Sequence, residues 1–449
     1  MSWHRGHPDD IAIVMADAML SYAELDARVA EKNEVFRHSG IAAGHRIALY
    51  ESTSIDYIIT LIALIESGVV VCPINTRWPE ATVSEAIAGI NAVLLQDVLA
   101  RGHITQSIEA SHILTDHRWA TVVFTSGSSG TPKAAVHSLA NHRSSAQASN
   151  RNILLKSGDH WLLSLPLYHV GGLGIVFRCL EAGATIAIPK NNQHINDSIL
   201  ELKPSHISLV STLLYRMLDD EAITDHLSKM KAVLMGGSGL APQLIQKAHE
   251  KKINVHASYG MTEMSTQITC TQPTSILDEL LTSGKPLLVG SIRINEADEI
   301  YVSGPCLFQG YLREDTLELP TNEHGFFRTG DTGHFDGNNN LCVTGRLDRM
   351  FVSGGENIQP AVIEDTLCKI EGVLQAVVFA VKDAEFGERP GAFVRMDIEW
   401  SGDQLQERVR EWLPGYMVPI RILPWVDGLD GDIKPNEEML QRLWGEYIL

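Results

Sequence analysis

Positive charge is scarce in this chain: 36 Lys and Arg stand against 55 Asp and Glu in 449 residues, a formal net charge of −19. Such a surface disfavours nucleic acid and anionic membrane, so neither is expected as a partner. It does not exclude ATP, because beyond a Debye length of about 8 Å the global charge is screened and the local loop decides. Cysteine is sparse too. Cys72, Cys179, Cys270, Cys306, Cys342 and Cys368 form no C-x-x-C pair, so no zinc site is suggested and reduced thiols are expected. No apolar run is long enough to span a bilayer: the longest, Ile58 to Cys72, is broken by Glu66, Ser67 and Gly68. The first ten residues lack the apolar core of a signal peptide. These absences lead to the expectation of a cytoplasmic protein without membrane insertion.

What is present begins with length. A chain of 449 residues exceeds what one hydrophobic core normally serves, so two or more domains are expected. Ser21, with Glu24 three positions on, has capping-box spacing for a first helix. Strands over 46–50 and 69–74 flank a helix over 55–66, a β-α-β unit. The alternation continues with strands at 161–165, 185–188, 206–210, 232–235 and 254–258 and helices at 172–181, 212–219 and 242–251. Strands and helices at that spacing predict a parallel α/β sheet. Beyond Thr282 short β runs separated by Gly and Asn predict a small β subdomain. From Asp348 a helix over 360–370, strands over 375–381 and 392–397 and a helix over 403–413 predict a compact α+β unit of about 100 residues. The boundary falls at Arg346 to Arg349.

The stretch Thr121 to His137 is the most informative. Four strand-forming residues lead into a loop of Ser, Thr and Gly closed by Pro132 and Lys133, and a helix can begin near Ser138, so strand, loop and helix are expected in that order. Gly127 and Gly130 let the backbone approach a ligand. The hydroxyls of Thr125, Ser126, Ser128, Ser129 and Thr131 and the ammonium of Lys133 supply donors for phosphate oxygens. The Walker pattern, which ends in Gly-Lys-Ser/Thr, is absent.

Four further stretches join it. His169 follows Leu165-Pro-Leu-Tyr168 and precedes paired glycines, which aims a side chain into a cleft. In Ser258-Tyr-Gly-Met-Thr-Glu263, an aromatic at a strand end can stack on a purine, while Thr262 and Glu263 can hold phosphate and Mg²⁺. Asp331 and Arg346 can bond the two hydroxyls of a ribose. Lys434 is the one cation in an acidic tail segment.

In this order and spacing the five stretches resemble the adenylate-forming superfamily of acyl- and aryl-CoA synthetases, adenylation domains and luciferases, from about Leu20 to Lys434. Within it, the closest likeness is to the o-succinylbenzoate-CoA ligase family of menaquinone biosynthesis. That likeness is carried by Trp161 to Val170, Gly345 to Asp348, Ser353 to Pro360, Glu385 to Pro390 and Gly431 to Lys434. The pattern departs in two places: Ala134 stands where the superfamily often has Gly, and the tail lacks a Gly-Lys pair.

The resemblance implies an α/β fold, with a large N-terminal domain, 1–347, of parallel α/β sheets plus a small β subdomain, and a mobile α+β C-terminal domain, 348–449, hinged at Asp348. It implies ATP, Mg²⁺ and coenzyme A as cofactor and co-substrates, and small molecules as partners; a homo-oligomer is left open. Thr125 to Thr131 and Lys133 would hold phosphates, Gly237, Ser238, Ser258, Tyr259 and Gly260 the adenylate, Asp331 and Arg346 the ribose, and Glu263 the metal. Lys434, His169, Thr262 and Glu263 would be catalytic. The acyl pocket is expected at Ser211 and Thr212, with Lys190 or Arg216 meeting a second carboxylate. The alternatives are another aryl- or acyl-CoA ligase, a carrier-protein-loading adenylation enzyme and a non-catalytic nucleotide-binding scaffold.

Overall fold

The computed structural model describes residues 4–104, 118–125, 132–190, 193–236, 242–273, 275–426, 429 and 437–448. Two large sheets dominate the first three quarters of the chain. The nine-stranded sheet runs from Lys285–Pro286 through Gln267–Cys270, Val255–Gly260, Ala232–Met235, His206–Leu209, His160–Leu162, Thr185–Ala187 and Ile11–Met15 to Ala18–Ser21. Its six inner strands are parallel, and the strands at both margins are antiparallel. Parallel neighbours need a crossover, which helices such as Val170–Ala182, Ser211–Leu218 and Pro242–Glu250 supply.

The seven-stranded sheet contains Val93–Leu94, Arg46–Leu49, Val70–Pro73, Trp119–Thr125, Lys133–Ser138, Gly310–Arg313 and Thr316–Glu318. The helix Ile55–Glu66 begins at Ser54, whose hydroxyl accepts from the Tyr57 amide, and buries every residue from Tyr57 to Ile65. A helix apolar on all sides belongs inside a core. One hydrophobic cluster accordingly joins Ile58, Leu61 and Leu64 to Ile13, Trp161 and Ile186 of the first sheet and to Ile47, Val71 and Val123 of the second.

The β-α-β unit at 46–73 and the helices and parallel strands from 160 to 260 form where the alternation places them. One local expectation is corrected. After the phosphate-type loop comes a strand, Lys133–Ser138, before the helix Leu139–Ile153 begins. This strand pairs antiparallel with Trp119–Thr125 on one side and Gly310–Arg313 on the other, and is buried from Ala134 on. Pairing with a segment about 180 residues away overrides the local composition. Ser138 then caps the helix in a capping box with Asn141.

The short β runs beyond Thr282 give an antiparallel four-stranded sheet of Ile292–Ile294, Glu299–Val302, Phe327–Phe335 and Leu341–Arg346. From Phe351 onward the chain builds another sheet, Glu356–Ile358, Phe351–Ser353, Gly387–Met396 and Val373–Asp383, with Ile422–Pro424 parallel to Gly387–Met396. One face packs on Ile363, Leu367, Leu405 and Val409, the other on Leu440, Leu443 and Trp444. The fold is thus mixed α/β with a smaller α+β unit at its C-terminal end.

Candidate functional site

Thr125 and Lys133 are partners across the hairpin that carries the loop. The loop residues Ser126, Gly127, Ser128, Ser129, Gly130 and Thr131 lie outside the described residues, as do Gly237, Ser238 and Lys434. The loop's base is described: the Lys133 ammonium sits 5.2 Å from the centre of the Tyr311 ring. The Tyr311 hydroxyl in turn donates to Glu263 Oε1 at 2.5 Å. Burial first, and then the neighbouring Glu263 carboxylate, push the Tyr311 phenol well above its ordinary range, so it stays protonated and donates.

Glu263 stands in the turn Thr262–Met264 and is only 8% exposed. The turn is pinned from three sides. Its Thr262 carbonyl lies 2.7 Å from His137 Nε2, the Phe308 amide donates to the Glu263 carbonyl at 2.7 Å, and Tyr311 holds the carboxylate. Gly260 enters the turn where a Cβ would lie 2.2 Å from the Thr266 carbonyl oxygen, a spacing that only glycine permits. Among the described residues no group of three His, Cys, Asp or Glu could hold a metal by itself. A single fixed carboxylate is the donor set of a magnesium ion that arrives on phosphate oxygens, so these residues fit that ion.

The ribose-type pair is assembled by sheet register. Asp331 and Arg346 are Cα partners on the adjacent strands Phe327–Phe335 and Leu341–Arg346, and Arg346 Nη1 donates to Asp331 Oδ1 at 3.2 Å. The Tyr259 hydroxyl donates to Asp331 Oδ2 at 2.5 Å, and its phenol is held high by burial and then by Asp331. Arg346 also grips Asp348 with two bonds, 2.8 Å from Nε to Oδ1 and 3.0 Å from Nη2 to Oδ2. That fork holds Asp348 below the usual carboxylate range and Arg346 above the usual guanidinium range. Tyr259 near the end of one strand and Glu263 in the turn after it are four residues apart, and the Tyr311 ring lies 6.5 Å from Phe327 on Asp331's strand, so the Tyr259–Asp331–Arg346 and Lys133–Tyr311–Glu263 groups adjoin.

Ser258 lies at the C-terminal end of its strand and donates to the Met235 carbonyl at 2.7 Å, next to Gly236. Ligands of open α/β sheets collect at that margin. His169 is the N-cap of the helix Val170–Ala182, edge-on to Tyr168 with ring centres 4.7 Å apart. Burial and the charge of Arg77 lower its pKa, which keeps the ring neutral at pH 7. Behind it, a Cβ on Gly172 would lie 2.1 Å from the Pro166 carbonyl oxygen, which explains the second of the paired glycines.

Ser211 and Thr212, expected at an acyl pocket, open the helix Ser211–Leu218 and line a cavity of about 220 Å³ whose other walls include Tyr215, Lys247, Arg395 and Asp397. Lys190 is not part of it. Its ammonium lies 4.0 Å from Glu201, and both side chains are about two-fifths exposed.

No local motif marks Tyr311, His137 or Asp348's grip on Arg346. Tyr311 and His137 act across 48 and 125 residues, and no spacing rule announces such contacts. The Arg346–Asp348 pair, two residues apart, was open to inspection, and a basic and an acidic residue at that spacing on a strand end was its signal.

The AMP-binding enzyme family matches residues 2–109 and 93–312, and the AMP-binding enzyme C-terminal domain matches residues 362–431. The 2-succinylbenzoate–CoA ligase of Escherichia coli (strain K12) is 32% identical over 451 residues, covering 98% of this chain and 96% of its own length. A variant of E. coli MenE with bound OSB-AMS superposes with a TM-score of 0.83 at 30% identity, covering 98% of this chain and 96% of that one. The o-succinylbenzoate coenzyme A synthetase (MenE) from Bacillus subtilis in complex with ATP and magnesium ion gives 0.80 at 26% identity over 93% of each chain.

Proposed function

The chain belongs to the AMP-binding enzyme family, and from that premise we propose that it ligates o-succinylbenzoate to coenzyme A through an acyl-adenylate, releasing AMP and pyrophosphate. The observation that carries the reading is the joined set Lys133–Tyr311–Glu263 and Tyr259–Asp331–Arg346, in a chain similar to 2-succinylbenzoate–CoA ligases along almost its whole length.

In the first half-reaction an oxygen of the substrate carboxylate attacks the α-phosphorus of ATP and the bond to pyrophosphate breaks. Charge builds on the phosphate oxygens, so donors fixed in advance lower the barrier. Lys133 at the loop base faces that charge, Asp331 and Arg346 hold the ribose, and Tyr259 fixes Asp331. Glu263, steadied by Tyr311, would hold Mg²⁺, which offsets charge on the phosphates when bound. In the second half-reaction the CoA sulfur bonds to the acyl carbon, the thiol proton is lost and AMP departs. No enzyme nucleophile is needed, and the six cysteines are free thiols, four of them buried.

Lys434 is assigned to the adenylation step on motif resemblance. We place the pivot between the two half-reactions at Asp348, with domains 1–347 and 348–449. The turn Leu347–Arg349 supports this, since it separates the sheet that ends at Arg346 from the one that begins at Phe351. His169 is assigned to the passage between acyl group and thiol. Among the described residues no helix is long and apolar enough to cross a membrane; the cytoplasm, which supplies ATP and CoA, is the proposed location.

Purified protein incubated with ATP, Mg²⁺ and CoA is expected to form AMP with o-succinylbenzoate in a CoA-dependent manner, and to leave benzoate and octanoate largely unused. Turnover of benzoate or octanoate but not o-succinylbenzoate rejects the assignment.

A further inference from the structure

His137 lies on the strand Lys133–Ser138, four residues beyond the lysine at the loop base, and its side chain is completely buried. Its Nε2 is 2.7 Å from the carbonyl oxygen of Thr262, the residue that opens the turn bearing Glu263. Burial pushes its pKa down to about 4. A neutral ring carries one N–H, and the facing carbonyl places that proton on Nε2. The ring has company. His142 lies 5.1 Å away, stacks on Phe177 at 4.2 Å and bonds Thr121 Oγ1 at 2.8 Å, on the strand that enters the loop. Phe308, whose amide donates to the Glu263 carbonyl, lies 6.4 Å away on another side.

We propose that His137 is a positioning residue for adenylation: its Nε2–H fixes the Thr262–Glu263 turn against the hairpin that carries Lys133. The imidazole thereby ties the strand that starts at Lys133 to the turn that carries the carboxylate assigned to the metal, alongside the Phe308 amide and Tyr311. A magnesium ion that shares phosphate oxygens with Glu263 demands that placement closely, because its coordination sphere tolerates little error. The effect therefore falls on MgATP and not on the acid or CoA. The inference rests on the ligase reading and adds to it a residue that touches neither substrate nor metal.

The experiment compares His137→Leu, His137→Asn and His137→Gln. Gln carries its amide nitrogen at the reach of Nε2; Asn places it at the reach of Nδ1, short of the Thr262 carbonyl; Leu has no donor. Leu and Asn are expected to raise the KM for MgATP about tenfold, with Gln within about threefold of the parent, as for loss and rescue of one buried hydrogen bond. The KM values for acid and CoA, and thioester formation from preformed adenylate, stay unchanged. Calorimetric titration of each variant with a non-hydrolysable ATP analogue, with and without Mg²⁺, should show the same ranking, with the difference confined to the titration containing Mg²⁺. Melting temperatures are measured alongside. Equal effects of Gln, Asn and Leu, losses shared by acid and CoA, or failure of all three to fold overturns the proposal and leaves His137 a core residue. Absence of ligase activity in the parent with any acid sinks the ligase reading instead, while the calorimetric ranking still reports on His137.

Discussion

Asp331 and Arg346 meet because two neighbouring strands hold them in register, whereas Ser211 and Thr212 stand at the start of a helix and line a cavity closed by Arg395 and Asp397 from the C-terminal unit. The first pair is positioned by a backbone ladder and tied by Tyr259 and Asp348. The second depends on where a separately cored unit rests. A pair built on register is held before any ligand arrives, so on the proposed function little of the nucleotide's binding energy is spent on ordering these side chains. A cavity walled by both parts of the chain takes its shape from where the C-terminal unit rests. Acid affinity should therefore follow the unit's pose more closely than nucleotide affinity, which feels it through the Asp348 fork on Arg346.

The sharpest way to break this contrast is at Lys434. Lys434→Ala is expected to slow adenylation by about 10²-fold or more, about 3 kcal/mol in the barrier, with thioester formation from preformed adenylate intact. Measuring pyrophosphate release and thioester formation separately decides it; equal losses in both would place the lysine outside the division of labour. Next in size is Asp331→Ala, which removes an acceptor shared by Tyr259 and Arg346. The KM for ATP should rise about 30-fold, as for loss of a charged hydrogen-bond partner, while the KM for the acid holds. A matching rise for the acid would show that the two ends are not built independently.

The same contrast explains what could be read from the chain beforehand. The parallel sheet, the β-α-β unit at 46–73 and the C-terminal α+β unit follow from periodicity, because each element carries its own local signal. The strand Lys133–Ser138 carried none: its pairing with Gly310–Arg313 is a distant event. Tyr259, Glu263 and Arg346 sit in short motifs at or just past a strand end, which is a local signal, whereas Asp331 lies in the middle of Phe327–Phe335 and meets Arg346 through sheet register. Tyr311 and His137, which hold Glu263 in place, sit in ordinary strand sequence and became visible only once the sheets were assembled. The cavity beside Ser211 was least legible, since its walls come from residues as far apart as Ser211 and Ile398.

Arg216 and Lys190 separate the two candidate cations for a second carboxylate. Neither lines the cavity, but Arg216 shares a helix with Ser211 and Thr212, and its charge is felt by Arg395, which does line it. Arg216→Ala should raise the KM for o-succinylbenzoate about tenfold with the ATP KM unchanged, as for loss of one charge-assisted contact. An unaltered acid KM would move the acyl pocket off this helix.

The smallest effect is expected at Lys190. It pairs with Glu201 at 4.0 Å, with 43% and 40% of the two side chains exposed, and it does not line the cavity. Exposed pairs contribute about 0–1 kcal/mol, because water screens the attraction and both side chains lose rotamer freedom in meeting. Lys190→Ala should therefore leave the KM for acid and for ATP within about twofold of the parent, with a melting temperature lowered by no more than about 2 °C in a chain of this size. A selective rise in the acid KM would mean that Lys190 leaves Glu201 to meet the substrate. The second carboxylate would then be bound beyond the strand Thr185–Ala187, and the cavity beside Ser211 would serve some other part of the reaction.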